Sequence, residues 1–247
     1  MTNLLTTQLL AQQAAHTTMA NPPAELVPTS LADAYAIQNE IVAAIGPAGA
    51  WKVTPMPADG EPNCSPILAR NVHPDGATLR SATLPGLSIE VEVAVTIGQA
   101  LPGKAGGYTP DDVKAAVASL HVVLEVLGSR FHERTAAPRL AGMADLMNNG
   151  AVITGPAVLA TDWPEFGQQA LSLSFDGVEQ QTTAAGETTE NILAALTWLA
   201  NHAAGRGLPL KAGDVVITGA RLGPIPFARG TVVAEAPGLG KVSATFV

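Results

Sequence analysis

Glu90 and Glu92 stand two residues apart in LSIEVEVAVTIG (residues 87–98), a stretch that alternates from Ile89 and then becomes almost continuously apolar. Alternation passing into an apolar run marks a strand that is half-buried at its start. Side chains two apart on a strand share a face, so the two carboxylates project side by side. In apolar surroundings they repel each other and are poorly solvated, which pushes one towards its protonated form. A divalent cation removes both problems, and hard ions such as Mg2+ or Mn2+ prefer oxygen ligands of this kind. Taken by itself the pair also fits a strand whose second face is wet. A second apolar run, HVVLEVLGSRF (residues 121–131), carries one carboxylate, Glu125, among Val122, Val123, Leu124, Val126 and Leu127. An ionised glutamate there is costly unless it is paired or ligating. Three strand carboxylates suit one hard metal with positions left open for substrate.

Lys52 lies between Trp51 and Val53. Flanked in this way it is expected to be partly desolvated, which lowers its pKa and suits proton transfer; a snorkelling structural lysine is the other reading. His132 has no histidine partner at ligand spacing, so zinc is not expected. Cys64 is the one cysteine, so no intramolecular disulfide can form, and a reducing cytoplasm fits. With no histidine motif beside it, Cys64 reads as a small packed residue. No G-x-S-x-G elbow, phosphate-binding G-x-x-x-x-G-K-[ST] loop, G-x-G-x-x-G or H-E-x-x-H occurs, which leaves hydrolase triads, nucleotide chemistry and zinc peptidase chemistry without support.

The elements that must position these groups follow from the rest of the chain. Its 247 residues are 47% hydrophobic, enough for a sizeable core in one domain or a small domain joined to a larger one. A net charge of -8 gives no basic footprint for nucleic acid, and an anionic substrate must be drawn in by a local positive centre. Gln8, Gln12 and Gln13 interrupt the apolar residues of the N-terminus, which has no basic region, so no signal peptide is expected. No apolar run approaches the roughly 20 residues of a membrane span.

Residues 3–19 read as a first helix, followed by a Pro-rich link. Ser30 makes an N-cap with Asp33 at the third helical position, Ile37, Ile41 and Ile45 stripe one face, and Gly46 stops the helix. Asp75, in the turn HPDG, reads as an ordinary turn residue. Thr109 caps a helix with Pro110 at its first position and Asp111 and Asp112 in its first turn, feeding the Glu125 strand. LSLSF-DG-VEQQ reads as a hairpin turning at Asp176-Gly177. Residues 189–204 form an amphipathic helix with Ile192, Leu196, Leu199 and Ala203 inward and Trp198 in the core.

Six segments together resemble the hydratase and decarboxylase branch of the fumarylacetoacetate hydrolase superfamily, the 2-keto-4-pentenoate hydratases and 4-oxalocrotonate decarboxylases. They are AYAIQ (34–38), WKVT (51–54), IEVEVAVTIG followed by LP, LEVLGSRF, LTWLANHAAGRGLPLKAGDVVITGA (196–220) and GTVVAEAPGLGKVSATF (230–246). The resemblance implies an α+β fold, a mixed β-sandwich roll with outer helices, the metal at its open mouth and a small helical N-terminal piece. The division expected is a helical segment over 1–50 and a catalytic roll over 51–247. Glu90, Glu92 and Glu125 would hold one Mg2+ or Mn2+, and Lys52 would be the active-site lysine. The family's Pro-Asp element, whose aspartate works in acid–base chemistry, is matched here by Glu61, Pro62 and Asn63. Asn63 cannot ionise, so Glu61 or a water takes the role, or the reaction differs.

Ser129 and Arg130 match the family's Ser-Arg element, with Arg130 either pairing a substrate carboxylate or bracing the cluster. Asp145 and Asn148 lie in a polar loop (143–155) that resembles one near the family's site. Thr218 and Gly219 match a turn that lines the substrate pocket, Thr218 either donating to a carboxylate or ending a strand. The implied activity is metal-dependent addition of water to a small anionic 2-hydroxy-2,4-dienoate, giving a 4-hydroxy-2-oxo acid as in aromatic meta-cleavage catabolism. The alternatives are decarboxylation of a 2-oxo-enedioate, C–C hydrolysis of an acylpyruvate, or a non-catalytic partner of a related enzyme. A cytoplasmic homo-oligomer that engages neither nucleic acid nor membrane is expected.

Overall fold

The structure, a computed structural model, describes residues 2–247. In chain order its helices are α1 (Leu4–Ala15), α2 (Leu31–Ile45), α3 (Pro110–Ala116), α4 (Arg139–Ala144) and α5 (Thr189–Gly205). The strands are β1 (Ala48–Val53), β2 (Cys64–Leu68), β3 (Val72–Pro74), β4 (Ala77–Leu79), β5 (Ser88–Ile97), β6 (Val117–Leu127) and β7 (Asn149–Thr154). They continue with β8 (Val158–Leu159), β9 (Leu171–Phe175), β10 (Val178–Thr183), β11 (Val215–Pro226), β12 (Gly230–Ala236) and β13 (Gly240–Phe246).

Local chemistry accounts for most of these boundaries. Asn3 caps α1 through its side chain, which accepts from the Leu5 N–H. The expected helix over 3–19 stops short, because His16 turns left-handed (φ 54°) and Met19 leaves to bridge Phe131. Ser30 caps α2 by accepting from the Asp33 N–H, and Gly46 ends it with φ 139°. Thr109 and Asp112 form a reciprocal capping box on α3, with Pro110 at its first position. Asp176 and Gly177 both have positive φ, the requirement of a tight hairpin turn between β9 and β10. Asp75 also serves a turn, accepting from the backbone and hydroxyl of Ser243. Trp198 is half-buried rather than central, stacked 4.4 Å from the His202 ring.

Eight strands make the larger sheet, in the order β2-β1-β11-β5-β6-β7-β3 with β8 beside β6. The smaller sheet runs β10-β9-β12-β13-β4, and β12 and β13 lie against β6. The main core fills the space between the sheets and under the helices. Val91, Val93, Val122, Leu124 and Val126 of the larger sheet meet Leu173, Val232, Val242 and Phe246 of the smaller one. Leu5 and Leu9 of α1 and Ile37 and Ile41 of α2 belong to the same cluster, as do Ile192, Leu196, Leu199 and Ala203 of α5. On its other face the larger sheet closes on itself. Ala50, Ile67, Ala94, Val123, Val152, Val215 and Ile217 come from six strands yet form one buried cluster, which requires the sheet to curl around them. The fold is the α+β roll that the sequence resemblance implies.

Candidate metal centre

Period-two alternation puts Glu90 and Glu92 on the curled inner face with Ala94, while Val91 and Val93 enter the main core. Antiparallel pairing of β5 and β6 sets Glu90 directly opposite Glu125 and Glu92 opposite Val123. One carboxylate oxygen from each of Glu90, Glu92 and Glu125 lies within 4.8 Å of the others. Glu92 and Glu125 are fully buried and Glu90 is half-buried. The single-strand E-x-E spacing and a third carboxylate 33 positions later thus meet through one strand pairing.

Lys52 completes the cluster from β1. That strand is separated from β6 by β11 and β5, about 14 Å across a flat sheet. The curl brings the Lys52 Nζ to 2.7 and 2.8 Å from the two Glu125 oxygens, with the Met147 carbonyl at 3.3 Å. The Lys52 side chain is only 12% exposed and that of Glu125 is 0%, so water does little to screen this pair. Asn149 Nδ2 donates to Glu125 at 2.9 Å and the Gly219 N–H donates to Glu92 at 2.6 Å. Leu146, Met147 and Asn148 precede Asn149 with φ of 50°, 51° and 58°. Three successive non-glycine residues in left-handed conformation are held against their preference, and the turn they make delivers the Met147 carbonyl and the Asn149 amide to the cluster.

Burial pushes the Glu90 carboxyl up to about 7, aided by the Glu125 charge and opposed by Lys52. Burial and the Glu125 charge likewise push Glu92 well above the carboxylate range, against Lys52. Lys52 departs from the expectation of a lowered pKa. Burial does act downward, but Glu125, Glu92 and Glu90 outweigh it, and the ammonium is held above the ordinary lysine range. Ionised as ligands, three carboxylates against one ammonium would leave two negative charges uncompensated, the charge of one divalent ion. The donor set is all oxygen and acidic, as a hard cation requires. The residues present therefore fit Mg2+ or Mn2+.

Other candidates lie elsewhere or are already engaged. Arg130 is buried and turned inward: it pairs with Asp145, and its Nη1 donates to the Gly128 and Asn149 carbonyls at 2.6 and 2.9 Å. Its Nη2 donates to the Asp145 carbonyl at 2.6 Å, and Ser129 Oγ donates to the Asp145 carboxylate at 3.3 Å. These bonds fix the loop that carries Asn149. The Thr218 hydroxyl donates to the Val93 carbonyl at 2.8 Å, which ties β11 to β5. Gly219 serves through its N–H, directed at Glu92. Asn63 accepts from Arg139 at 3.1 Å and Glu61 is exposed; neither has a hydrogen bond to Lys52. Cys64 is fully buried, and burial pushes its thiol up to about 11, as an inert packed residue should be. His132 meets Thr18 at the surface.

Sequence reasoning missed Asn149 and the Met147 carbonyl, choosing Asn148 next door. A polar residue at a strand start was visible, but the left-handed turn that sets which asparagine faces Glu125 has no glycine to announce it.

Residues 43–247 match the model of the fumarylacetoacetate (FAA) hydrolase C-terminal family. A 2-keto-4-pentenoate hydratase of Burkholderia vietnamiensis is 30% identical over 188 residues, 75% of this chain and 70% of that protein. A 4-oxalocrotonate decarboxylase of Pseudomonas putida is 29% identical, covering 70% of this chain and 65% of that one. Among solved structures, a 4-oxalocrotonate decarboxylase from Pseudomonas putida complexed with magnesium and adipate superposes with a TM-score of 0.84 at 23% identity, over 98% of this chain and 96% of that one. A fumarylpyruvate hydrolase from Pseudomonas aeruginosa in complex with Mn2+ and pyruvate reaches 0.59 at 19% identity, over 80% and 88%. The matched region contains the whole carboxylate cluster together with Lys52, and the chain belongs to the fumarylacetoacetate hydrolase C-terminal family.

Proposed function

We propose that the protein is a divalent-cation-dependent hydratase of 2-hydroxy-2,4-dienoic acids. The observation that carries this reading is the buried set of Glu90, Glu92 and Glu125, with two charges left over after Lys52. These three residues would hold one Mg2+ or Mn2+. When bound, the cation supplies Lewis acidity that orients a 2-oxo acid by its C1 carboxylate and C2 oxygen and stabilises charge developing at that oxygen. Lys52 Nζ is the one ammonium at the cluster and is held by Glu125 and the Met147 carbonyl. It carries the proton moved from the C2 hydroxyl to carbon as the dienol becomes a 2-oxo-3-enoate. Water then adds across that double bond, its hydroxyl at C4 and its proton at C3, giving a 4-hydroxy-2-oxo acid. The curled sheet and the buried cluster of Ala94, Val123 and Val152 keep bulk water from the inner side.

Decarboxylation of a 2-oxo-enedioate is the second reading, favoured by Asn63. Hydration moves protons at two carbons, whereas loss of CO2 leaves one dienolate to protonate. A site in which Lys52 has no acidic neighbour besides the cluster itself matches the smaller demand. The test follows the ultraviolet absorbance of 2-hydroxypenta-2,4-dienoate with Mg2+ and then with EDTA, with product analysis. Metal-dependent loss of the diene to 4-hydroxy-2-oxopentanoate is the expected result. No loss above the spontaneous rate, with metal bound, overturns the hydratase in favour of the decarboxylase, which CO2 release from 4-oxalocrotonate then reads. No metal binding leaves the non-catalytic partner.

A further inference from the structure

Arg221 lies on β11 just past the Gly219 N–H that holds Glu92. The pairings Ala220 with Glu92 and Leu222 with Val91 set it beside the carboxylate cluster, and the register shifts on either side of Ala220 mark irregular strand that re-aims its side chain. Its guanidinium is half-accounted for. Nη2 donates to the Phe166 carbonyl, while Nε and Nη1 are buried with no partner. It takes part in no ion pair among the described residues. Glu187, Glu92 and Glu165 act on it only through space. Glu165 is already used, accepting from the N–H groups of Gly167 and Thr189.

The loop over Arg221 is shaped to it: a Cβ on Gly186 would stand 1.7 Å from Nε. Ala184, Ala185 and Gly186 are themselves exposed, so the guanidinium is reached by displacing a surface loop and not by opening the core. Arg221 as a whole is half-buried, but buried N–H groups left unmatched are costly unless a partner arrives to take them. Nη1 and the second hydrogen of Nη2 form the fork that matches a carboxylate. In a chain of net charge -8, a substrate with a second anionic end also needs a local cation at that end.

We propose that Arg221 receives the distal carboxylate of the substrate, so that the site takes dicarboxylic 2-oxo-enedioates in preference to monocarboxylic 2-oxo-enoates. The inference rests on the metal-centred reading above but not on which reaction follows. It is tested by calorimetric binding to the full-length, Mn2+-loaded protein of 2-oxoadipate and 2-oxohexanoate, which share a chain of six carbons and differ only at the far end. The native protein binds 2-oxoadipate tighter by roughly 30-fold or more, the scale of hydrogen bonds to a charged group. Arg221→Gln removes that gap and leaves 2-oxohexanoate unchanged. Gly186→Ala, which crowds Nε, narrows it without touching the charge. Equal affinity for the two acids in the native protein, equal weakening of both by Arg221→Gln, or loss of the gap in Arg134→Gln instead would overturn the assignment. Arg134 is the control because it is an arginine outside the Lys52–Glu125 pair that acts on the cluster through space, from the side of Glu90. Failure of both acids to bind with Mn2+ present overturns the metal-centred reading itself, a result distinct from 2-oxohexanoate binding without a gap.

Discussion

Two buried charged groups lie side by side in this protein and differ in their charge balance. Arg130 and Asp145 form one: a cation and an anion, with Nη1 and Nη2 of the guanidinium also donating to the Gly128, Asn149 and Asp145 carbonyls and the carboxylate also bonded to Ser129 and the Arg130 backbone. Glu90, Glu92, Glu125 and Lys52 form the other, three carboxyl groups against one cation. The first is complete within the chain and reads as a brace. The second is complete only with something added. Burial alone does not separate a structural cluster from a functional one; uncompensated charge does.

The comparison predicts opposite responses to substitution. Arg130→Met leaves the Asp145 carboxylate buried and alone, and should destabilise the fold by about 3–5 kcal/mol in a denaturant titration. Adding Asp145→Leu should recover much of that loss, since an apolar pair replaces a broken ionic one. A double variant no better than the single one would show that the brace does more than balance charge. Glu92→Gln, by contrast, puts a neutral group of the same shape where burial and the Glu125 charge already favour the protonated carboxyl, and should leave the metal-free protein at least as stable as the native chain, while abolishing metal-dependent turnover.

The pH response of the metal-free protein sharpens the contrast. The Glu90 carboxyl has its folded pKa raised to about 7, above the unfolded value, so the folded state keeps its proton longer than the unfolded chain does. Its stabilising contribution is therefore full below the ordinary glutamate range and is lost as pH rises to about 7. Thermal unfolding in EDTA should show declining stability between about pH 4.5 and 7, and Glu90→Gln should flatten that slope. Mg2+ added at pH 7.5 should restore the loss. The smallest effect is expected at Asn149, which holds Glu125 without being a ligand: Asn149→Leu should weaken metal affinity by roughly 10–100-fold with the fold intact.

What could be read from the sequence follows from the range of each signal. The E-x-E pair is a period-two pattern within a few residues, and the isolation of Glu125 among valines and leucines is equally local. Caps at Ser30 and Thr109 and the Asp176-Gly177 turn are short-range chemistry and appear where the sequence places them. Lys52 was visible as a residue but not in its state, because the sign of its pKa shift depends on carboxylates brought from β5 and β6 by the curl of the sheet. Thr218 and Arg130 have the chemistry to bind a carboxylate, and only tertiary contacts reveal that both are committed inward. Asn149 and Met147 depend on three left-handed residues that carry no glycine signature, and the empty donors of Arg221 are a property of its neighbours.

Direct titration of Mn2+ into the metal-free protein, native and Glu92→Gln, bears most directly on the central claim. One ion per chain in the native protein, lost in Glu92→Gln with the fold unchanged, is the result the uncompensated charge predicts. Absence of binding in the native chain, or the same binding in both, would contradict it.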